Sequence, residues 1–287
     1  MFESHFGLRD APFRLSPDPG FYFGSRGHSQ TLSCLVFGVH QREGFIVLTG
    51  ESGVGKSTLV HTLLQGLPAH ELVAAQVVNT QLDETGLLTA ICHAYGVPMP
   101  GRTRAGLFAT LEAFFTAVAA GGRRALLVVD EAHNLGPREI EQLRLLSNLQ
   151  LGPHALVQGL LVGQPELRER LGAAALASFR QRVIASGHLG PLSRVETMSY
   201  VHHRMEVAGW RGAPVFGEAT IEQVHDLTGG NPRRINLLCT RLLLSAFVER
   251  RLQVDAAKVQ AMAAEVDGRP VTLAVAPSRQ RRKWPPG

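Results

Sequence analysis

Residues Gly50-Glu51-Ser52-Gly53-Val54-Gly55-Lys56-Ser57-Thr58 carry the spacing G-x-x-x-x-G-K-[ST]. Glycines at these positions let a backbone wind into a nest of N–H groups around a phosphate, where a Cβ would clash. A helix starting behind the loop adds its N-terminal donors and the positive end of its dipole. Lys56 then reaches the β- and γ-phosphates of a nucleotide, and the Ser57 hydroxyl becomes a ligand for Mg2+. A loop of this kind needs an acidic partner, and Ala125-Leu126-Leu127-Val128-Val129-Asp130-Glu131 supplies one. Asp130, at the end of an apolar strand, is placed to hold Mg2+ through water. Glu131 is placed to polarise an attacking water as general base. The chemistry expected is hydrolysis of a Mg2+-bound nucleoside triphosphate.

Two more polar residues fit that chemistry. Gln164 sits just past the apolar run LVQGLLV, where its side chain can meet a terminal phosphate or the water. Arg233 follows Gly229-Gly230-Asn231-Pro232 at the start of a helix. A cation there opposes the helix dipole, and a nucleotide phosphate would resolve the mismatch.

The elements that must hold these groups follow from periodicity. FIVLT (45–49), LVAAQVV (72–78), ALLVV (125–129), LVQGLLV (156–162) and VIASGHL (183–189) are strand-length runs, apolar at consecutive positions. Such runs suit parallel strands buried on both faces. Helical patterns lie between them, near 57–66, 84–95, 104–120 and 137–149, with one more reaching 181. The alternation predicts a doubly wound α/β domain with five parallel strands. Beyond Gly190-Pro191 the strand patterns stop and helices are expected over 193–208, 218–228, 231–250 and 255–265. The chain thus divides into an N-terminal extended segment and helix packing on the core (1–44), the α/β nucleotide-binding domain (45–191), a helical lid (192–265) and a flexible basic tail (266–287). The first segment carries prolines and aromatic rings without periodicity, so its rings are expected to pack on the body that follows.

Composition narrows the class. The chain has 287 residues, of which 45% are hydrophobic and 18% charged, too apolar for a disordered chain. No apolar run approaches the roughly 18–20 residues of a membrane-spanning helix, and no signal peptide pattern opens the sequence. Cys34, Cys92 and Cys239 lie far apart, which suggests neither a disulfide framework nor a zinc site and fits a cytoplasmic setting. The net charge of +5 owes four positives to Arg279, Arg281, Arg282 and Lys283 of the tail, which leaves about +1 on residues 1–265. A nearly neutral body argues against a nucleic-acid surface, although the tail can touch anionic lipid or nucleic acid nonspecifically. Lys56 is one of only three lysines, against 26 arginines.

GESGVGKST, LLVVDEAHNL, LLVGQPELRERL, FRQRVIASGHLGPL and TGGNPRRINLLC, in this order, resemble a AAA+ ATPase. Within that class the chain is similar to the general-secretion-pathway protein A group. The N-terminal FGLRDAPFRLSPDPGFYFGSRGH, with RVIASGHLGPL and AGWRG, extends the likeness to the secretion ATPase of exosortase (PEP-CTERM) and exopolysaccharide loci. The resemblance covers about residues 1–265. It implies a P-loop sheet in the order 5-1-4-3-2 with a C-terminal all-helical lid, ATP and Mg2+ as ligands, and assembly into a homo-oligomer. Gln164 would be the sensor-1 residue and Arg233 the sensor-2 arginine. Arg180 and Arg182 occupy the place of an arginine finger acting in a neighbouring subunit's site, and Arg182, just before the fifth strand, is preferred. The class usually carries glutamine where His133 stands. Larger members of the group continue into a membrane span and a peptidoglycan-binding domain. The sequence shows neither, so the shorter exosortase-locus relative is expected. The function implied is a motor or switch for envelope export or exopolysaccharide production, with envelope or polysaccharide-export proteins as partners and a place at the periphery of the inner membrane. A DNA-associated regulator of the transposition type and a slow, nucleotide-gated scaffold are the alternatives.

Overall fold

The computed structural model describes residues 2–266 except 79, 100 and 102. The basic tail expected from 266 onward lies outside these residues, Val266 excepted. Along the chain run α1 (Arg26–His40), β1 (Phe45–Gly50), α2 (Lys56–Gly66), β2 (Leu72–Val77), α3 (Glu84–Ala94), α4 (Arg104–Ala120), β3 (Arg124–Val129), α5 (Pro137–Leu146), β4 (Val157–Gly163), α6 (Glu166–Gly172) and β5 (Val183–Leu189). Then come α7 (Arg194–Val207), α8 (Glu218–Thr228), α9 (Pro232–Val248) and α10 (Val259–Val266). The five strands pair in parallel in the order β2-β3-β4-β1-β5. Read from the other edge this is 5-1-4-3-2, once a hairpin of two-residue strands (Gln150–Leu151 with His154–Ala155) outside the sheet is left unnumbered.

Side-chain alternation along β1 explains the layers. Phe45 and Val47 face a core that includes Leu87 and Ile91 of α3, Leu111 and Phe115 of α4 and Ile140 of α5. Ile46 and Leu48 face the opposite core, with Leu35 and Val39 of α1 and Leu59 and Leu63 of α2. Helices therefore cover both faces, as parallel strands require. α1 lies so close that a Cβ on Gly38 would stand 2.8 Å from Ile46 Cγ1. The polar Gln158 within β4 is buried, and its amide donates to the carbonyls of Gly38 and Glu43.

Three expectations change. β1 and β4 are buried at every position, but β2 and β5 are not. These two form the sheet edges, so each lacks one neighbour and its outer side chains outrun the covering helices. The region after 191 is not purely helical, because Val215–Phe216 pairs in parallel with Gln253–Val254. Finally, residues 1–44 do not act as one unit on the α/β core. α1 does pack on the sheet, but Phe6, Leu8, Phe13 and Phe21 enter the core of the C-terminal helices with Val201, Ile221 and Leu238.

That N-terminal strap is held by an unusual buried cation. Arg204 of α7 is 6% exposed. It donates to the carbonyls of Pro12 and Arg14 and stacks 4.5 Å from the centre of the Phe21 ring. Carbonyl oxygens and a ring face replace the carboxylate that a buried guanidinium usually takes. Asn236 and Thr240 of α9 add hydrogen bonds to the carbonyls of Arg14 and Phe13. Because Phe13 is a full member of this core, at 2% exposure, Phe13→Ala should cost about 3–5 kcal/mol of unfolding free energy. Denaturant unfolding of the whole chain measures it, and a cost below about 1 kcal/mol would mean that the strap only drapes the surface.

Candidate active site

β1 delivers the chain to the loop at Gly50, where a Cβ would stand 2.4 Å from the Leu189 carbonyl of β5. Gly53 and Gly55 then take φ of +84° and +106°, the left-handed region that only glycine enters freely. α2 starts at Lys56 with Gly55 as its cap and no capping side chain, so its first N–H groups stay open for a ligand. Lys56 is buried, and its ammonium donates to the carbonyls of Gly50 at 2.7 Å and Glu51 at 2.9 Å. Burial pushes its pKa below the ordinary lysine value, opposed by the carboxylates of Glu131, Asp130 and Glu51.

β3 carries the acidic pair to the same place. Asp130 Oδ1 accepts from the Glu131 N–H at 2.9 Å. Glu131 itself adopts φ +48°, a strained conformation for a side chain of this size. Thr80 fixes the turn by donating to the Glu131 carbonyl at 2.8 Å. Ser52, Gly53, Gly55, Lys56, Ser57, Thr58, Asp130, Glu131 and Arg233 all line one cleft of about 250 Å3. Of the other loop residues read from the sequence, Gly50 and Val54 serve the framework, with Val54 1% exposed in the core, and Glu51 contributes its carbonyl to Lys56.

The lid meets the loop directly. The Arg233 N–H donates to the Gly53 carbonyl at 3.1 Å, and Asn231 Nδ2 donates to the Ser52 carbonyl at 2.8 Å. Asn231 also caps α9 by accepting from the Arg233 and Arg234 N–H groups. Arg233 is thus fixed by its backbone, while its guanidinium has no carboxylate partner among the described residues.

Gln164 does not line the cleft. It stands beside it, where its N–H donates to His133 Nδ1 and its side-chain amide lies 3.1 Å from His133 Nε2. Arg180 and Arg182 lie away from the cleft of their own chain. Arg180 donates to the carbonyls of Leu171, Gly172 and Ala173 at the end of α6, where a cation matches the helix dipole. Arg182 reaches Ser147 only at 3.5 Å and is the looser of the two.

The sequence reading missed several residues. Arg14–Asp18 of the strap, with Tyr200, Arg204 and Asn236 of the lid, form the far wall of the cleft. His28 of α1 supports the loop from behind: a Cβ on Gly55 would stand 2.8 Å from its Nε2, and its Nδ1 meets Ser25 Oγ at 2.7 Å. The i, i+4 pair Tyr200 and Arg204 on the helix expected over 193–208 was the one signal available. A histidine in the first turn of a helix carries none.

The donor set fits a nucleotide-borne Mg2+ rather than a resident metal. No cluster of three or more His, Cys, Asp or Glu side chains able to hold a metal occurs among the described residues. Ser57 and Asp130 are instead two isolated oxygen donors at the mouth of a phosphate-sized nest, the arrangement Mg2+ accepts when phosphates and water complete its shell.

A domain model described as "AAA domain" matches residues 39–171. Residues 39–171 are thus similar to an AAA domain. A curated relative, the general secretion pathway protein A of Aeromonas hydrophila, is 39% identical over 271 residues, covering 93% of this chain and 49% of its own length. The chain therefore spans about half of that relative. Among solved structures, the Aeropyrum pernix ORC2 protein in ADPNP–ADP complexes matches with a TM-score of 0.67 at 15% identity, over 90% of this chain and 73% of that one. Cdc6p from Pyrobaculum aerophilum matches with a TM-score of 0.68 at 19% identity, over 92% and 71%. These two likenesses show the fold, a P-loop AAA sheet with covering helices. No helix among the described residues is long and apolar enough to cross a membrane.

Two predictions follow from the loop's supports. Gly53→Ala places a Cβ 2.6 Å from Arg233 Cβ at a φ of +84°, so it should weaken binding of a fluorescent ATP analogue at least about tenfold. Binding unchanged from the wild type would show that the loop and lid tolerate separation. His28 is held below its ordinary value of 6.5 chiefly by burial, with a Val54 backbone hydrogen bond and Glu196 opposing. The unfolded chain then binds the extra proton. Stability should be full above pH 6.5 and fall as the pH drops from there toward the folded value. In His28→Gln, unfolding midpoints measured across this range should lose that part of the acid dependence.

Proposed function

We propose that the chain binds and hydrolyses Mg-ATP and works as an oligomeric AAA+ motor or switch. The observation that carries this reading is the convergence of loop, acidic pair and lid arginine on one cleft. The AAA domain, together with the ADPNP and ADP of the ORC2 complexes, favours an adenine nucleotide. The curated relative's name points to secretion, and the N-terminal and RVIASGHLGPL stretches narrow this to envelope export of the exosortase or exopolysaccharide type. We place the protein in the cytoplasm, in peripheral contact with the inner membrane, with envelope or polysaccharide-export proteins as its partners.

Each residue has a distinct task in this mechanism. The N–H groups of the loop and of the first turn of α2 hold the phosphate chain. Lys56 leaves its two carbonyl partners for the β- and γ-phosphate oxygens, a favourable exchange because a desolvated ammonium gains more from an anion than from neutral oxygens. Ser57 and Asp130 would hold Mg2+, which when bound neutralises charge on the phosphate oxygens. Glu131 accepts the proton of the attacking water. Arg233, which lines the cleft and has no carboxylate partner among the described residues, senses the phosphate charge and ties the lid to it. Gln164 orients the water or the terminal phosphate. Arg182, poorly engaged in its own chain, is delivered to the site of an adjacent subunit and stabilises charge on the transferring phosphoryl group.

Lys56→Ala should abolish ATP binding. Glu131→Gln should retain binding while turnover drops about 10²–10⁴-fold. Steady-state phosphate release with parallel nucleotide titration measures both, and normal turnover in either variant removes the site assignment. Arg182→Ala should lose hydrolysis in the assembled state and regain part of it when mixed with Lys56→Ala protein, since the mixed interface pairs an intact loop with an intact arginine. Absence of rescue assigns the shared site to another residue. Salt-sensitive stimulation of turnover by duplex DNA would replace export with the DNA-associated alternative.

A further inference from the structure

Glu131 and Gln164 end different strands, and His133 lies between them. Its ring is 15% exposed and enclosed, whereas the Glu131 side chain is 48% exposed and has room to swing. Gln164 grips the ring at both nitrogens. Its backbone N–H donates to Nδ1 at 3.3 Å, and its side-chain amide stands 3.1 Å from Nε2. Nδ1 is also 3.3 Å from Glu131 Oε2, the one hydrogen-bond or ion-pair contact of that carboxylate among the described residues. Thr80 and Asp130 pin the Glu131 backbone, so any movement is confined to its side chain.

A neutral imidazole has one N–H and one lone pair. Nδ1 therefore either donates to Glu131 or accepts from the Gln164 backbone, but does not do both. The choice fixes the other nitrogen. With the proton on Nδ1, Nε2 accepts from the Gln164 amide NH2, and both Glu131 and that NH2 are occupied. With the proton on Nε2, the ring donates to the Gln164 side-chain oxygen, the NH2 turns outward, and Glu131 is released. Which way the amide points is set by the hydrogen-bond network around it, so the two arrangements share one framework.

We propose that His133 is a positioning residue acting as a tautomeric latch, which holds Glu131 until the terminal phosphate of a bound nucleotide takes the Gln164 amide. A phosphate oxygen that accepts from the NH2 turns the amide oxygen toward Nε2. One proton leaves Nδ1 to water and one reaches Nε2 from water, so the net charge is unchanged. Nδ1 then accepts from the Gln164 N–H, and Glu131 is free to meet the attacking water. This rests on the proposed hydrolysis and adds its regulation: the base is armed by the phosphate to be cleaved, and the diphosphate product, lacking it, leaves the latch closed.

The test is ring-nitrogen NMR on the full chain carrying isotope-labelled histidine, with Mg2+ and either ADP or a non-hydrolysable ATP analogue. Saturation is checked on the same samples by displacement of a fluorescent nucleotide. The His133 signal is the one lost in His133→Gln, or in His133→Asn should the first variant fold poorly. Expected is the Nδ1–H form with ADP and the Nε2–H form with the analogue. Gln164→Ala, which removes the phosphate contact, should keep one form with both nucleotides. The same tautomer in both saturated wild-type samples overturns the latch and leaves the ATPase reading standing, as does a switch that survives in Gln164→Ala. Failure of either nucleotide to bind overturns the reading itself, and the latch with it.

Discussion

The backbone seam between residues 52–53 and the start of α9 governs the rest of this structure. Two hydrogen bonds, from Arg233 N–H to Gly53 and from Asn231 Nδ2 to Ser52, join the lid to the phosphate loop. The first uses the carbonyl of Gly53, a residue at positive φ where a side chain would strike Arg233. The same residue that lets the loop curl around a phosphate therefore also lets the lid approach it. Asn231 serves the seam twice, capping α9 with its oxygen and reaching the loop with its nitrogen. Loop geometry and lid position are in this way properties of a single piece of backbone.

The N-terminal strap makes the seam part of a closed circuit. Its aromatic residues belong to the lid core, while α1, which follows directly, belongs to the sheet. Between the two, Arg14–Asp18 pass over the cleft. Arg204 anchors the strap through the carbonyl oxygens of Pro12 and Arg14, and Arg14 pairs with Asp18, the strap carboxylate that lines the cleft. His28, buried against Gly55, supports the loop from the sheet side. Lid, strap, α1 and loop thus surround the cleft in one ring of contacts.

Much of the molecule was legible in local sequence. Consecutive apolar runs marked all five strands, and the helices between them ended within a few residues of their expected limits. What periodicity misjudged was the edges: LVAAQVV is as apolar as the central runs, yet burial on both faces depends on neighbours that only the sheet order assigns, while in VIASGHL the polar Ser186 and His188 are the positions left exposed. The strap was legible as ordered but not as to its destination, because rings without periodicity record a need for burial and not where it is met.

The sequence by itself determined the loop, the acidic pair and the arginine behind Gly-Gly-Asn-Pro, since each depends on short spacing, on glycine's access to positive φ and on the end of a strand or helix. Tertiary structure alone decided which groups meet across long separations. It set His28 behind Gly55, placed Arg204 beneath the strap, and put His133 between Glu131 and Gln164. It also left Arg182 loosely held while Arg180 closes the end of α6. A histidine or an arginine reads the same in a chain whether it is solvated, stacked or shared between two functional groups. The difference arises only when packing removes water and leaves it a limited set of partners.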